Sequence, residues 1–109
     1  MVAKVRVEVP ICTHTTLITV KDIGEGRVSV EIDSECPSVA HLAKLLKEAN
    51  MDDLTEWNNN RIFDLASRSG LTTTCLVPTA IINCAWVELG MISRSLALEK
   101  RSLCLHFVE

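Results

Sequence analysis

The side chains with the widest chemical range in this chain are its five cysteines, Cys12, Cys36, Cys75, Cys84 and Cys104. A thiol packs as a small hydrophobe, whereas a thiolate binds soft metals and attacks disulfides. Three of the five stand where one element gives way to the next. Cys12 follows Pro10 in "VPICTHTT", Cys36 sits in "DSECPSVAHLAKLL", and Cys75 sits in "TTTCLVPTAII". In the last two, a proline suited to the first turn of a helix follows shortly after the cysteine. Unpaired N–H groups at a helix N-terminus carry partial positive charge, which stabilises a thiolate and lowers its pKa. Three such thiolates suit an iron–sulfur cluster with one open or non-cysteine position, and that open position would admit a small-molecule ligand. Zinc is the competing metal, with His14 or a water as fourth ligand. The spacings match neither a zinc ribbon nor a ferredoxin, both of which use close pairs such as C-x2-C. Convergence must therefore come from the fold.

The elements that would bring it about follow from periodicity. "VAKVRVEV" (2–9) alternates Val5, Val7 and Val9 with charges, as a half-buried strand does. "TTLITVKD" (15–22) and "RVSVEID" (27–33) are two more strand candidates, and "IGEGR" between them reads as a hairpin turn rather than a phosphate loop. In such a meander Cys12 and Cys36 share one rim of the sheet. From Pro37, apolar residues recur at helical spacing through Ala49. "LTEWNNN" is a turn or half-helix, and "RIFDLASRSG" is a second helix stopping at Gly70. "TTTCLVP" is a linker, and from Pro78 a third helix runs through "TAIINCAWVELGMISRSLA". "SLCLHFVE" alternates again and is read as a last strand. The order β-β-β-α-α-α-β predicts one α+β domain over residues 1–109, a two-layer structure with helices on one face of a mostly antiparallel sheet. The expected core includes Val5, Val7, Val9, Val28, Val30, Ile32, Leu42, Leu45, Leu46, Leu65, Ile82, Trp86, Leu103, Leu105 and Phe107.

Composition narrows the function classes. A net charge of −3, scattered Lys and Arg, and four aromatic residues without tyrosine argue against a nucleic-acid surface. No stretch has the length and hydropathy of a membrane span, and the N-terminal residues alternate with charge rather than forming a signal sequence. These features point to the cytoplasm, where an odd number of cysteines argues against a disulfide framework.

Other readings compete with the metal site. In a metal-free thiol protein, helix-capped Cys36 or Cys75 would take part in sulfur transfer or redox exchange, and the cysteines of an interaction module would only pack. Cys84, in mid-helix, reads as core. Cys104 and His106 share the polar face of the last strand and form a weak pair. His14 is also read as a loop histidine, and His41 as a surface residue. Nothing in the sequence positions a Ser-His-Asp triad or implies a particular reaction.

The segments "ICTHTT", "SECPSVAHLAKLL" and "CLVPTAIINCAWVELG" resemble those of a small uncharacterised family of similar chain length from anaerobic archaea and bacteria. Its pattern has a cysteine after the first strand, an acidic-Cys-Pro after the third, and Cys-x-Val-Pro-x-Ala opening a late helix. The resemblance singles out Cys12, Cys36 and Cys75, and its anaerobic setting favours iron over zinc. It implies no activity. Where that pattern has glycine and an aromatic after its first cysteine, this chain has Thr13 and His14. Finally, a chain this small has a limited core, and an edge strand offers unpaired N–H and C=O groups to a second copy, so a homodimer is the expected partner state.

Overall fold

The alternation in the first third of the chain produces a meander in the computed structural model, which describes residues 2–109. Strands β1 (Ala3–Val9), β2 (His14–Gly24) and β3 (Arg27–Ser34) pair antiparallel in sequence order. The register sets Val5 opposite Ile18 and Ile18 opposite Ile32. Apolar positions thus meet apolar positions on one face, and a one-residue slip would turn every one of them outward. The β2–β3 turn needs Glu25 and Gly26 at φ 58° and 71°, the two left-handed positions of a two-residue hairpin loop.

Helix α1 (Pro37–Leu45) follows with Cys36 as N-cap and Pro37 in its first turn. Strand β4 (Glu48–Ala49) then pairs with Ser29 and Val28 and completes the order β1-β2-β3-β4. Helices α2 (Met51–Thr55), α3 (Arg61–Arg68), α4 (Val77–Glu88) and α5 (Arg94–Lys100) complete the regular structure among the described residues. Helix α4 lies across β1 and β2, and α1 lies against β3. The opposite sheet face presents Lys4, Arg6, Glu8, Lys21, Glu31 and Asp33 to solvent. The fold is therefore α+β, with the helices on one side of an antiparallel sheet.

Between the layers Ile18, Val20, Val28, Leu42, Leu46, Ile62, Ile81 and Cys84 have no exposed surface. Each large aliphatic among them contributes about 1.5–3 kcal/mol by leaving water. Polar pins fix how the layers sit. Glu88, its side chain 6% exposed, accepts from the backbone N–H of Asp22 at 2.9 Å and from the Arg94 guanidinium at 2.8 Å. Trp86 donates its Nε1–H to the carbonyl of Leu54 at 2.7 Å. Burial pushes the Glu88 carboxyl up, but the Asp22 N–H, Arg94 and the Ala3 N–H together hold it below the usual carboxylate range.

Four expectations are corrected. The first helix stops at Leu45 rather than Ala49: Leu46 turns extended, and the Lys47 carbonyl accepts from the Val30 N–H at 2.8 Å, drawing the chain into β4. Ala49 is buried all the same, since its position satisfies a helical stripe and a short strand alike. The late helix breaks at Gly90, φ 79°, where Met91 and Ile92 both donate to the Trp86 carbonyl. Residues 101–109 form no strand, and Leu103, Leu105 and Phe107 stand 83%, 73% and 82% exposed instead of in the core. Arg101, at φ 74°, ends α5, and the edge beside β3 is taken by β4. Leu45, in the last turn of α1, also faces outward.

Candidate functional site

Three segments deliver Cys12, Cys36 and Cys75 to the same end of the sheet. β1 stops at Val9, whose carbonyl accepts from the N–H groups of both Cys12 (3.1 Å) and Thr13 (2.9 Å), closing a tight turn before β2. Thr13 takes φ 61°, a left-handed conformation in which a β-branched residue is strained and glycine is not. Cys12 itself is exposed. Across the sheet, Thr16 and Ser34 pair in register and share a 2.7 Å hydroxyl hydrogen bond. The Ser34 hydroxyl also accepts from the Cys36 N–H at 3.2 Å. That bond fixes Cys36 just beyond β3 while leaving its sulfur unspent, since Cys36 makes no side-chain cap.

Cys75 arrives from the helical layer. The direction of α4 is set by its contacts: Cys84 donates to the Ala3 carbonyl at 3.3 Å, and Glu88 reaches Asp22, both at the end where β1 starts and β2 finishes. The N-terminal end of α4 therefore lies toward the opposite end, where β1 finishes and β2 starts. Cys75 closes a turn there by donating its N–H to the Thr72 carbonyl at 3.0 Å. Burial pushes the Cys75 thiol up; the Val77 N–H donated to its sulfur pulls it down; the neighbouring charges of Cys36 and then Cys12 push it up again. The net displacement is upward. This corrects the expected lowering at a helix N-terminus, because desolvation exceeds what one N–H supplies.

The remaining candidates separate cleanly. His14, half-buried, opens β2 in the same inward register as Thr16 and Ile18. Cys84 is the packing cysteine: fully buried, its thiol is pushed up to about 12, chiefly by burial. Cys104 and His106 lie exposed on the C-terminal segment, far from being a strand pair, and Cys104 meets the Ser102 hydroxyl at 3.5 Å. His41 Nδ1 lies 3.0 Å from the Ser69 hydroxyl at the C-cap of α3. Two polar devices lie outside the residues singled out from the sequence, the Glu88–Arg94 pin and the Asn60 cap. The spacing of Glu88 and Arg94 across a helix break carries no signal, whereas "NNNR" before an amphipathic run is an N-cap signature.

Among the described residues, no group of three or more His, Cys, Asp or Glu side chains stands disposed to hold a metal ion. The three rim cysteines suit a soft metal by the chemistry of their sulfurs, and binding would have to draw them in. Two shallow surface hollows lie elsewhere, one against the open sheet face at Lys21, Glu31 and Lys47, the other at Trp57, Asn58 and Asn59. No helix among the described residues is long and apolar enough to cross a membrane. No curated protein and no solved structure matches the chain. The model of a family of unknown function, DUF6951, matches residues 3–100, from the first residue of β1 to the last of α5, and the chain belongs to that family.

Proposed function

We propose that Cys12, Cys36 and Cys75 form a thiol centre that binds a soft metal, an iron–sulfur cluster in the first instance and zinc as the competing occupant. The observation that carries this reading is geometric: the β1–β2 turn, the end of β3 and the start of α4 meet at one end of the sheet, where charge on Cys36 and Cys12 adds a penalty to ionising Cys75. Packing against the core accounts for the half-burial of Cys36 and Cys75 but not for the exposed Cys12 beside them, and Cys84 illustrates what a fully packed thiol looks like in this chain. A bound cation removes the penalty, because coordination favours all three thiolates at once. His14, or an open position for a small molecule, would complete the coordination. The protein would then act as a cluster-dependent enzyme or as an accessory that carries a cluster. When bound, the metal supplies a Lewis-acidic or redox-active site at an exposed rim. The chain's own part is to aim the Val77 N–H at the Cys75 sulfur and to keep that sulfur partly dry.

Purification without oxygen, metal analysis and an absorption spectrum test the proposal. The expected result is iron with sulfide, or zinc, in stoichiometric amount, lost when Cys12, Cys36 and Cys75 are replaced together by serine. Binding should also release protons, so apparent affinity rises with pH.

A second reading follows from the absence of a ready-made metal geometry among the described residues. In a metal-free thiol protein, the Cys12 thiolate attacks a disulfide substrate, forms a mixed disulfide and expels one substrate thiolate. A neighbouring thiolate then attacks the Cys12 sulfur, closing an intramolecular disulfide and releasing the second substrate thiol. Metal-free protein in which one rim cysteine is alkylated far faster than Cys84 would favour this reading over the first.

A further inference from the structure

The least anchored part of the molecule is its C-terminal arm. Helix α5 has no buried residue, and Leu96 and Leu98 on it are 49% and 57% exposed. Beyond Arg101 come Leu103, Leu105, Phe107 and Val108, between 73% and 90% exposed. Leu103, Leu105 and Phe107 alternate with Cys104, His106 and Val108, the period of a strand with one strongly apolar side. A run of exposed apolar side chains such as this is a surface that proteins in water cover with a partner.

The same molecule offers a matching acceptor. β1 is an edge strand, paired with β2 on one side and with no strand on its outer side among the described residues. Its inward-facing Val5 and Val9 are only half-buried, unlike Val7 between them. The first position of β1 is already occupied, because the Ala3 carbonyl accepts from the Cys84 thiol at 3.3 Å. From Lys4 to Glu8 the edge carries no further strand among the described residues, while the Val9 carbonyl is taken by the Cys12 and Thr13 N–H groups. An added strand there would satisfy the open backbone groups and extend the apolar layer over Val5 and Val9.

We propose that residues 103–108 of one copy add as a strand to the outer edge of β1 in a second copy, and that the exchange is reciprocal. The occupant is a second copy rather than the same chain because, although α5 starts with Arg94 Nη1 3.5 Å from the Val2 carbonyl, residues 101–109 of the single chain form no strand and β1 pairs only with β2 among the described residues. In the single chain the arm leaves its own β1 edge unoccupied. Two arms and two edges related by a two-fold axis close the assembly and leave no open β1 edge. This pairing is independent of the thiol centre.

The test uses the full chain with metal removed. Light scattering at micromolar concentration should give the mass of two chains. Amide exchange should show protection of both 103–108 and β1 that rises together with concentration. Leu105→Asp, at a position already exposed, should return the mass to one chain with an unchanged circular dichroism spectrum. Phe107→Asp should do the same. A single-chain mass at every concentration overturns the proposal. So does arm protection independent of concentration, which would mean pairing with its own edge, and so does a dimer that both variants leave intact.

Discussion

At the scale of single residues, the five cysteines do different work because their surroundings differ. Cys84 is a buried thiol whose folded pKa is pushed from the ordinary 9.0 to about 12. A raised thiol pKa means that the folded state holds its proton after the unfolded chain has lost it. The associated stability is present below the ordinary thiol range and is lost as pH rises toward about 12. The loss amounts to something on the order of 4 kcal/mol over that window. Denaturant unfolding across alkaline pH should show this decline, and Cys84→Ala should flatten it while costing about 1 kcal/mol at neutral pH from the lost sulfur. Thr13 makes a separate point. A β-branched residue held at φ 61° costs about 1–2 kcal/mol, and glycine there gives part of this back to unfolded-chain entropy. Thr13→Gly should therefore stabilise the fold by about 0.5 kcal/mol, seen as a higher denaturant midpoint at unchanged slope.

At the scale of elements, caps decide where the short helices begin. The Asn60 carbonyl oxygen accepts from the Ile62 and Phe63 N–H groups, and its amide nitrogen donates to the Asp53 and Glu56 carbonyls. One buried side chain thus starts α3 and ends α2. Asn60→Ala should cost about 2–3 kcal/mol, more than a simple cap, because it strands four buried or half-buried backbone groups at once. Asn60→Asp keeps the cap but sets a buried carboxylate oxygen against the Asp53 and Glu56 carbonyls, and should cost at least as much as Asn60→Ala; thermal melts of the two variants order them. The same scale shows what could be read from sequence. Alternation at Val5, Val7 and Val9, and at Val28, Val30 and Ile32, specified the meander and hence the shared rim of Cys12 and Cys36. The proline-led starts of α1 and α4 were legible because proline fits the first turn of a helix, where its missing N–H costs nothing. The β4 pairing was not, because two residues carry no period, and Ala49 fits either pattern. The upward displacement at Cys75 was illegible too, since helix position is visible in sequence and desolvation is not.

At the scale of the whole molecule, the arrangement is lopsided: one sheet face is charged and bare, and the other is covered by helices drawn from later in the chain. That lopsidedness explains why the C-terminal alternation misled. "SLCLHFVE" has a strand's composition, but β4 already occupies the sheet beside β3, and the arm leaves its own β1 edge open. It also sets an order of events during synthesis. The sheet is complete once Ala49 has emerged from the ribosome, yet its cover over β1 and β2 is α4, which begins only at Val77. In that interval a nascent chain has a finished hydrogen-bond ladder and an unfinished interior, with Ile18 and Val20 facing water. Chains halted before Val77 should be sticky, binding hydrophobic dyes and succumbing to protease, whereas chains reaching Glu88 gain both the cover and the carboxylate that ties it to Asp22. Protease pulses on stalled chains of increasing length should show protection arriving in one step as α4 clears the exit tunnel. The molecule would then depend on late residues to make early ones safe, and holdase chaperones would act in the gap between them.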